Sequence, residues 1–148
     1  MISLQFLKEL YLLLAVLLLI AGLSSPAIAG ENSTNGLLDG KTFIVDEGEK
    51  GKGKENTDTL IFKEGKFRSI SCDKYGFGSG TYTSTMEGNT IRFVADTTSE
   101  KKGKMHWEGT VQDDKIDVEY VWTDRTHWYK PNPKPREYWA KGELKKSE

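Results

Sequence analysis

Short interruptions set the outline of this chain. Glu64-Gly65 splits two runs rich in apolar and β-branched residues, and Glu87-Gly88, Gln112 to Lys115 and Glu100 to Gly103 repeat the pattern downstream. Gaps of this length admit only hairpins, so the runs they join must lie side by side and antiparallel. After Gly40 the pattern gives eight candidate strands, at 41–47, 57–63, 66–72, 79–85, 89–97, 104–112, 115–123 and 136–144. Turn signals at roughly 8–12 residue spacing mark an all-β chain. No stretch sustains the periodicity of a helix.

Eight meandering strands in one small domain predict an all-β, antiparallel, up-and-down eight-stranded barrel, because closure removes both exposed sheet edges. A two-sheet sandwich is the competing arrangement. It needs longer crossing connections, for which only 48–56 and 125–135 are available.

Alternation then sorts the side chains. Ile91, Phe93 and Ala95 share one face, as do Met105, Trp107, Gly109 and Val111, and Ile116, Val118, Tyr120 and Trp122; Arg92, His106, Glu108, Thr110, Asp117 and Glu119 face the other way. A two-residue turn at Glu64-Gly65 extends the inner set to Leu60, Phe62, Phe67, Ser69 and Ser71 and sends Cys72 to the outer face beside Ile70, unless a bulge intervenes. Ser69, Ser71, Gly80, Ser84, Ala95 and Gly109 are small members of an otherwise aromatic wall. Such gaps either leave room for one small ligand or receive large residues from across the barrel.

Residues 1–29 read as a cleavable signal helix: Lys8, then an apolar run from Leu10 to Ile20, then small residues ending Ala27-Ile28-Ala29. The run is shorter than the roughly 20 residues that span a bilayer. The expected product is one domain, 30–148, exported to a periplasmic or extracellular space and needing no membrane once the signal is removed. Its near-neutral balance, −1 for the whole chain with Lys8 and Glu9 cancelling, gives no field to attract nucleic acid.

Cys72 is the single cysteine, so no internal disulfide can form. A structural or incidental thiol is the simplest reading, followed by an intermolecular disulfide or redox target, and then by a nucleophile. The last requires a base, and only His106 and His127 offer one. Two histidines without further ligands make a poor metal site. No metal or cofactor is expected, and no enzymatic arrangement emerges. Gly48 to Glu55 fits a phosphate loop only until Glu55 takes the place of the Ser or Thr, and it reads instead as a mobile solvated loop or a flap over the barrel mouth. Gly76, Gly78 and Gly80 read as a bend entering the next strand, with Tyr75 and Phe77 capping one end of the barrel. Trp122, Trp128, Tyr129, Tyr138 and Trp139, with Pro131, Pro133 and Pro135 between them, either plug the far end or form an aromatic recognition platform.

Leu37 to Phe43 ("LLDGKTF") resembles the lipocalin opening, with Phe43 standing for its Trp, and Thr123-Asp124-Arg125 resembles the lipocalin Thr-Asp-Tyr loop. The architecture thus resembles the calycins. The runs "DTLIFKEGKF", "YGFGSGTY", "KGKMHWEGTV" and "YWAKGEL" are more similar to uncharacterised small exported bacterial proteins with a lipocalin-like barrel than to lipocalins proper. That resemblance implies a fold and a compartment and carries no binding or catalytic residue.

The expected function is a non-enzymatic exported binding protein holding a small hydrophobic or amphipathic ligand in the barrel. Phe62, Phe67, Tyr82, Phe93, Trp107, Tyr120 and Trp122 would give apolar contact, with Ser69 and Ser71 orienting the ligand. The alternative is an envelope interaction module with a filled barrel, acting through residues 125–139 or Cys72.

Overall fold

The computed structural model describes residues 36–125 and 134–146. The signal segment and His127, Trp128, Tyr129, Pro131 and Pro133 lie outside the described residues. The strands are β1 (Thr42–Glu49), β2 (Asn56–Lys63), β3 (Lys66–Ser69), β4 (Gly80–Glu87), β5 (Thr90–Ser99), β6 (Gly103–Gln112), β7 (Lys115–Thr123) and β8 (Arg136–Leu144). Each pairs antiparallel with its neighbour in sequence, and β1 returns to β8 from Phe43↔Leu144 to Glu49↔Tyr138, closing the barrel.

Turn chemistry fixes the registers. Glu64 and Gly65 both adopt positive φ (53° and 70°), the geometry of a primed two-residue turn, and hold Lys63 opposite Lys66. The β4–β5 turn falls one residue later than expected, on Gly88-Asn89, because Gly88 supplies the positive φ (62°) and Glu87 pairs with Thr90.

The alternation expected for β5, β6 and β7 is realised. Phe93, Ala95, Met105, Trp107, Val111, Ile116, Val118 and Tyr120 are buried, Ile91 and Trp122 pack partly buried against them, and Arg92, Glu108, Asp117 and Glu119 are exposed.

One half of the interior is solid. Phe62 is its hub, with ring centroids of Phe67, Tyr82, Phe93 and Phe43 at 5.2, 5.1, 4.9 and 6.0 Å. Three of these contacts are edge-on, the orientation that ring quadrupoles favour. The gap left by Gly109 is occupied: a Cβ there would stand 2.5 Å from the Phe93 ring. In this half the small inner residues make room for large ones.

A turn at residues 36–40 seals that end. Leu38 is wholly buried, and the Tyr82 hydroxyl accepts from its N–H (3.1 Å) while donating to Asp39 Oδ1 (2.8 Å). Asp39 also accepts the Gly65 N–H (3.0 Å), tying the turn to the β2–β3 hairpin.

The expected strand 66–72 is cut short at Ser69, and Cys72 is not on the outer face. The register Leu60↔Ser69 would set Asp58 opposite Ser71, but the Asp58 carboxylate itself accepts the Ser71 N–H (2.7 Å), replacing a ladder bond. The chain turns there, enters a 3-10 turn (Asp73–Tyr75) closed by Gly76 at φ 80°, and places both Cys72 and Phe77 inside.

Replacing Tyr82 with Phe keeps the ring but leaves the Leu38 N–H without its acceptor. Such a loss costs about 1–3 kcal/mol, readable as a lower urea midpoint at unchanged slope.

Candidate functional site

At the opposite end the barrel is hollow. The β1, β7 C-termini and the β2, β6, β8 N-termini surround a cavity of about 330 Å³, near the lower end of the usual range for ligand pockets. Its walls are Cys72, Phe77, Met105, Tyr120, Trp122 and Tyr138, with Glu47 and Ser71 at the base and Lys74, Lys102, Glu55 and Arg136 around the mouth.

The rings form a ladder out of the packed half. Trp107 lies 4.1 Å from Tyr120 at 25°, and Tyr120 lies 5.0 Å from Tyr138 at 9°, so the last two stack nearly parallel. Fixed partners aim the indoles: Trp107 Nε1–H donates to Thr97 Oγ1 (3.0 Å) and Trp122 Nε1–H to the Lys102 carbonyl (2.8 Å). Arg136 crosses the mouth with its guanidinium 5.7 Å from both the Trp122 and Tyr138 rings, within cation–π range.

The base is acidic. Glu47 follows Phe43 and Val45 on the inner face of β1 and is 7 % exposed; Asp58 precedes Leu60 on that of β2 and is 3 % exposed. Glu47 Oε1 accepts from Asn56 Nδ2 and Ser71 Oγ (both 3.3 Å), and Oε2 accepts from the Tyr120 hydroxyl (3.0 Å). Ser69 donates to Asp58 (2.5 Å) and approaches Ser71 Oγ (3.4 Å), so the hydroxyls link the carboxylates. Among the described residues no ion pair reaches Glu47 or Asp58. Burial, and after it the nearby charge of Asp58, hold the Glu47 carboxyl above its ordinary range.

Cys72 lies in this wall, 3.7 Å from Met105 Sδ and 3.9 Å from Ser71 Oγ. Burial pushes its thiol up to about 11, leaving it protonated and poorly nucleophilic near neutrality. His106 belongs to the outer surface, its ring held between Asp96 (2.8 Å) and Glu108 (3.1 Å), so the barrel wall separates it from the thiol.

The site residues expected from sequence divide between the two halves. Ser71, Tyr120 and Trp122 line the hollow, and Ser69 lies buried beneath it. Phe62, Phe67, Tyr82, Phe93 and Trp107 do not line it; their rings fill the closed half. Sequence reasoning missed Glu47, Asp58 and Arg136; it set Met105 on the inner face without naming it as a ligand contact, and it named Tyr138 only among the aromatics that either plug the far end or form a recognition platform. The available signal was a carboxylate falling in step with Phe43 and Val45, and another with Leu60 and Phe62. The connection between β1 and β2 is fastened to β8, with Trp139 Nε1–H donating to the Lys52 carbonyl (3.1 Å) and the Lys50 N–H to the Glu137 carbonyl (2.9 Å), while Glu55 borders the mouth.

Comparison with known proteins brings no match: no family model, curated protein or solved structure aligns with the chain. The reading of the site rests on its own chemistry.

That chemistry makes stability depend on pH. Unfolded, the Glu47 carboxyl ionises near 4.5; folded, it holds its proton to higher pH, so its favourable contribution is complete below 4.5 and lost as pH rises through the raised value. His106 acts in the same sense from 6.5 upward, held protonated first by its hydrogen bond to Asp96. Chemical denaturation across pH should show both declines. Glu47→Gln should remove the lower one and His106→Gln the upper, which partial exposure of the ring keeps small.

Proposed function

We propose that this chain is an exported, non-enzymatic binding protein with a lipocalin-like barrel, which takes a small hydrophobic or amphipathic molecule in its open half. The observation that carries the reading is the division of the interior. The same inner face that packs ring on ring around Phe62 ends in a hollow of about 330 Å³, walled by rings and equipped with a few convergent polar groups. Pockets for small ligands have this composition, apolar area for affinity and sparse polar groups for orientation.

Other features agree with it. The protonated thiol and its separation from His106 favour a wall role for Cys72 over catalysis, and its burial disfavours a bond to a partner. The signal-like segment 1–29 supports export, to the periplasm or beyond. The likeness of Leu37 to Phe43 and of Thr123 to Arg125 to lipocalin motifs supports the family reading.

Protein produced from its full coding sequence should be recovered outside the cytoplasm with a mass beginning at Gly30; an unprocessed cytoplasmic product would refute export. In native mass spectrometry of gently purified material, a bound small molecule should appear, and its removal and return should shift tryptophan fluorescence. Trp122→Ala and Tyr138→Ala should weaken binding by roughly ten-fold, about the worth of one lost aromatic contact, and cost less stability than a fully buried ring. Phe62→Ala, by contrast, should cost about 3–5 kcal/mol of stability. A dry interior with no fluorescence response would overturn the binding reading. A crosslinked partner lost on replacing Cys72 would then favour an interaction module.

A further inference from the structure

The base of the hollow holds two buried carboxyl groups that no neighbouring cation answers among the described residues. Glu47 and Asp58 are both almost fully buried, and their hydrogen-bond partners among the described residues, Asn56, Ser69, Ser71, Tyr120 and backbone N–H groups, are all neutral. Buried carboxylates are ordinarily paired with a cation or a metal. Of the three cations at the mouth, Arg136 pairs with Glu49 (3.4 Å) across the aromatic rings, Lys74 stands 5.0 Å over the Tyr75 ring, and among the described residues none of them, Lys102 included, forms an ion pair with Glu47 or Asp58. A metal is a poor answer, because no group of His, Cys, Asp and Glu side chains among the described residues could hold one.

Three geometric features define what would fit. A carboxylate has about four acceptor positions; among the described residues Oε1 of Glu47 receives two donors and Oε2 one, so a position remains at the carboxylate that lines the cavity. The walls beside it are the faces and edges of Tyr120, Trp122 and Tyr138, surfaces that attract a positive charge. Arg136 demonstrates this on the outer part of the same wall, where a guanidinium already lies against two of the rings. Finally, a volume of about 330 Å³ suits one ring with a short chain and is too small for a long lipid tail.

We infer that the hollow selects a small amphipathic amine, its protonated nitrogen seated against Glu47 and its apolar body between Tyr120, Trp122 and Tyr138. The inference rests on the binding reading and adds the ligand's charge and class to it. An anionic ligand would bring a like charge onto Glu47 and Asp58. A neutral one would fill the hollow without answering them.

Three probes of nearly equal size separate these cases: 2-phenylethylamine, 2-phenylethanol and 3-phenylpropanoate. Each would be titrated into the full protein near neutral pH by calorimetry and tryptophan fluorescence. The amine should bind at least about ten-fold more tightly than the other two, as a charge-assisted contact requires. Glu47→Gln, shown to be folded by its melting transition, should bring the amine down to the level of the alcohol, while Glu119→Gln on the outer face should retain the preference. The ranking in the unaltered protein needs no variant and decides the matter if Glu47→Gln fails to fold. Alcohol or acid binding as tightly as the amine, or an amine preference surviving in folded Glu47→Gln, overturns the amine inference and leaves the binding reading standing. Failure of all three probes, together with native spectra free of any bound molecule, overturns both.

Discussion

The pairing of β1 with β8 is the constraint from which the other features follow. Once the ladder from Phe43↔Leu144 to Glu49↔Tyr138 closes, no sheet edge remains, and every second residue of every strand is committed to one narrow interior. Each of those residues must then either pack or find a hydrogen-bond partner. Rings meet rings around Phe62, and where polar residues enter, at Glu47, Asp58, Ser69 and Ser71, they satisfy one another. Among the described residues no buried side-chain nitrogen or oxygen lacks a partner.

The second decision belongs to Asp58. By taking the Ser71 N–H into its carboxylate it ends β3 early, and the shortened strand pairs with β4 only at Lys66↔Thr81 and Phe67↔Gly80. The chain released there folds into the 3-10 turn that carries Cys72 and Phe77 inward and leaves Tyr75 at the rim. One buried side chain thus closes a strand, reverses the orientation of the cysteine and helps to shape the cavity wall.

These two effects give the barrel opposite ends. The Leu38 turn, locked through Tyr82 and Asp39, makes one end a rigid plug, and the strand termini at the other end surround an acidic, ring-walled hollow. A filled half supports the geometry of an open half, since Trp107 in the packed region stacks directly on Tyr120 in the wall. The thiol in the wall of the hollow is held protonated by its burial, and the imidazole of His106 faces outward.

The strand order and most of the inner face were legible from sequence because both depend on local rules. Glu64-Gly65 can join its strands only as a hairpin, and alternation sorts Phe93, Trp107 and Tyr120 from Arg92, Glu108 and Glu119 without knowledge of any neighbour. Glu47 and Asp58 were in phase with the inner face too, yet nothing local explains why a carboxylate should stay there. The answer lies in Tyr120, 73 positions away from Glu47, and in Ser69 and Ser71 across the β2–β3 ladder. Nor could alternation tell which inward residues would touch one another and which would border a void, since that depends on distances around the closed tube. Sequence by itself determined the strands, their antiparallel order and the direction of most side chains, through turn chemistry and a two-residue repeat. Only the tertiary structure decided where Cys72 points and which half of the barrel stays open, because both are set by contacts between residues that the chain brings together only on closing.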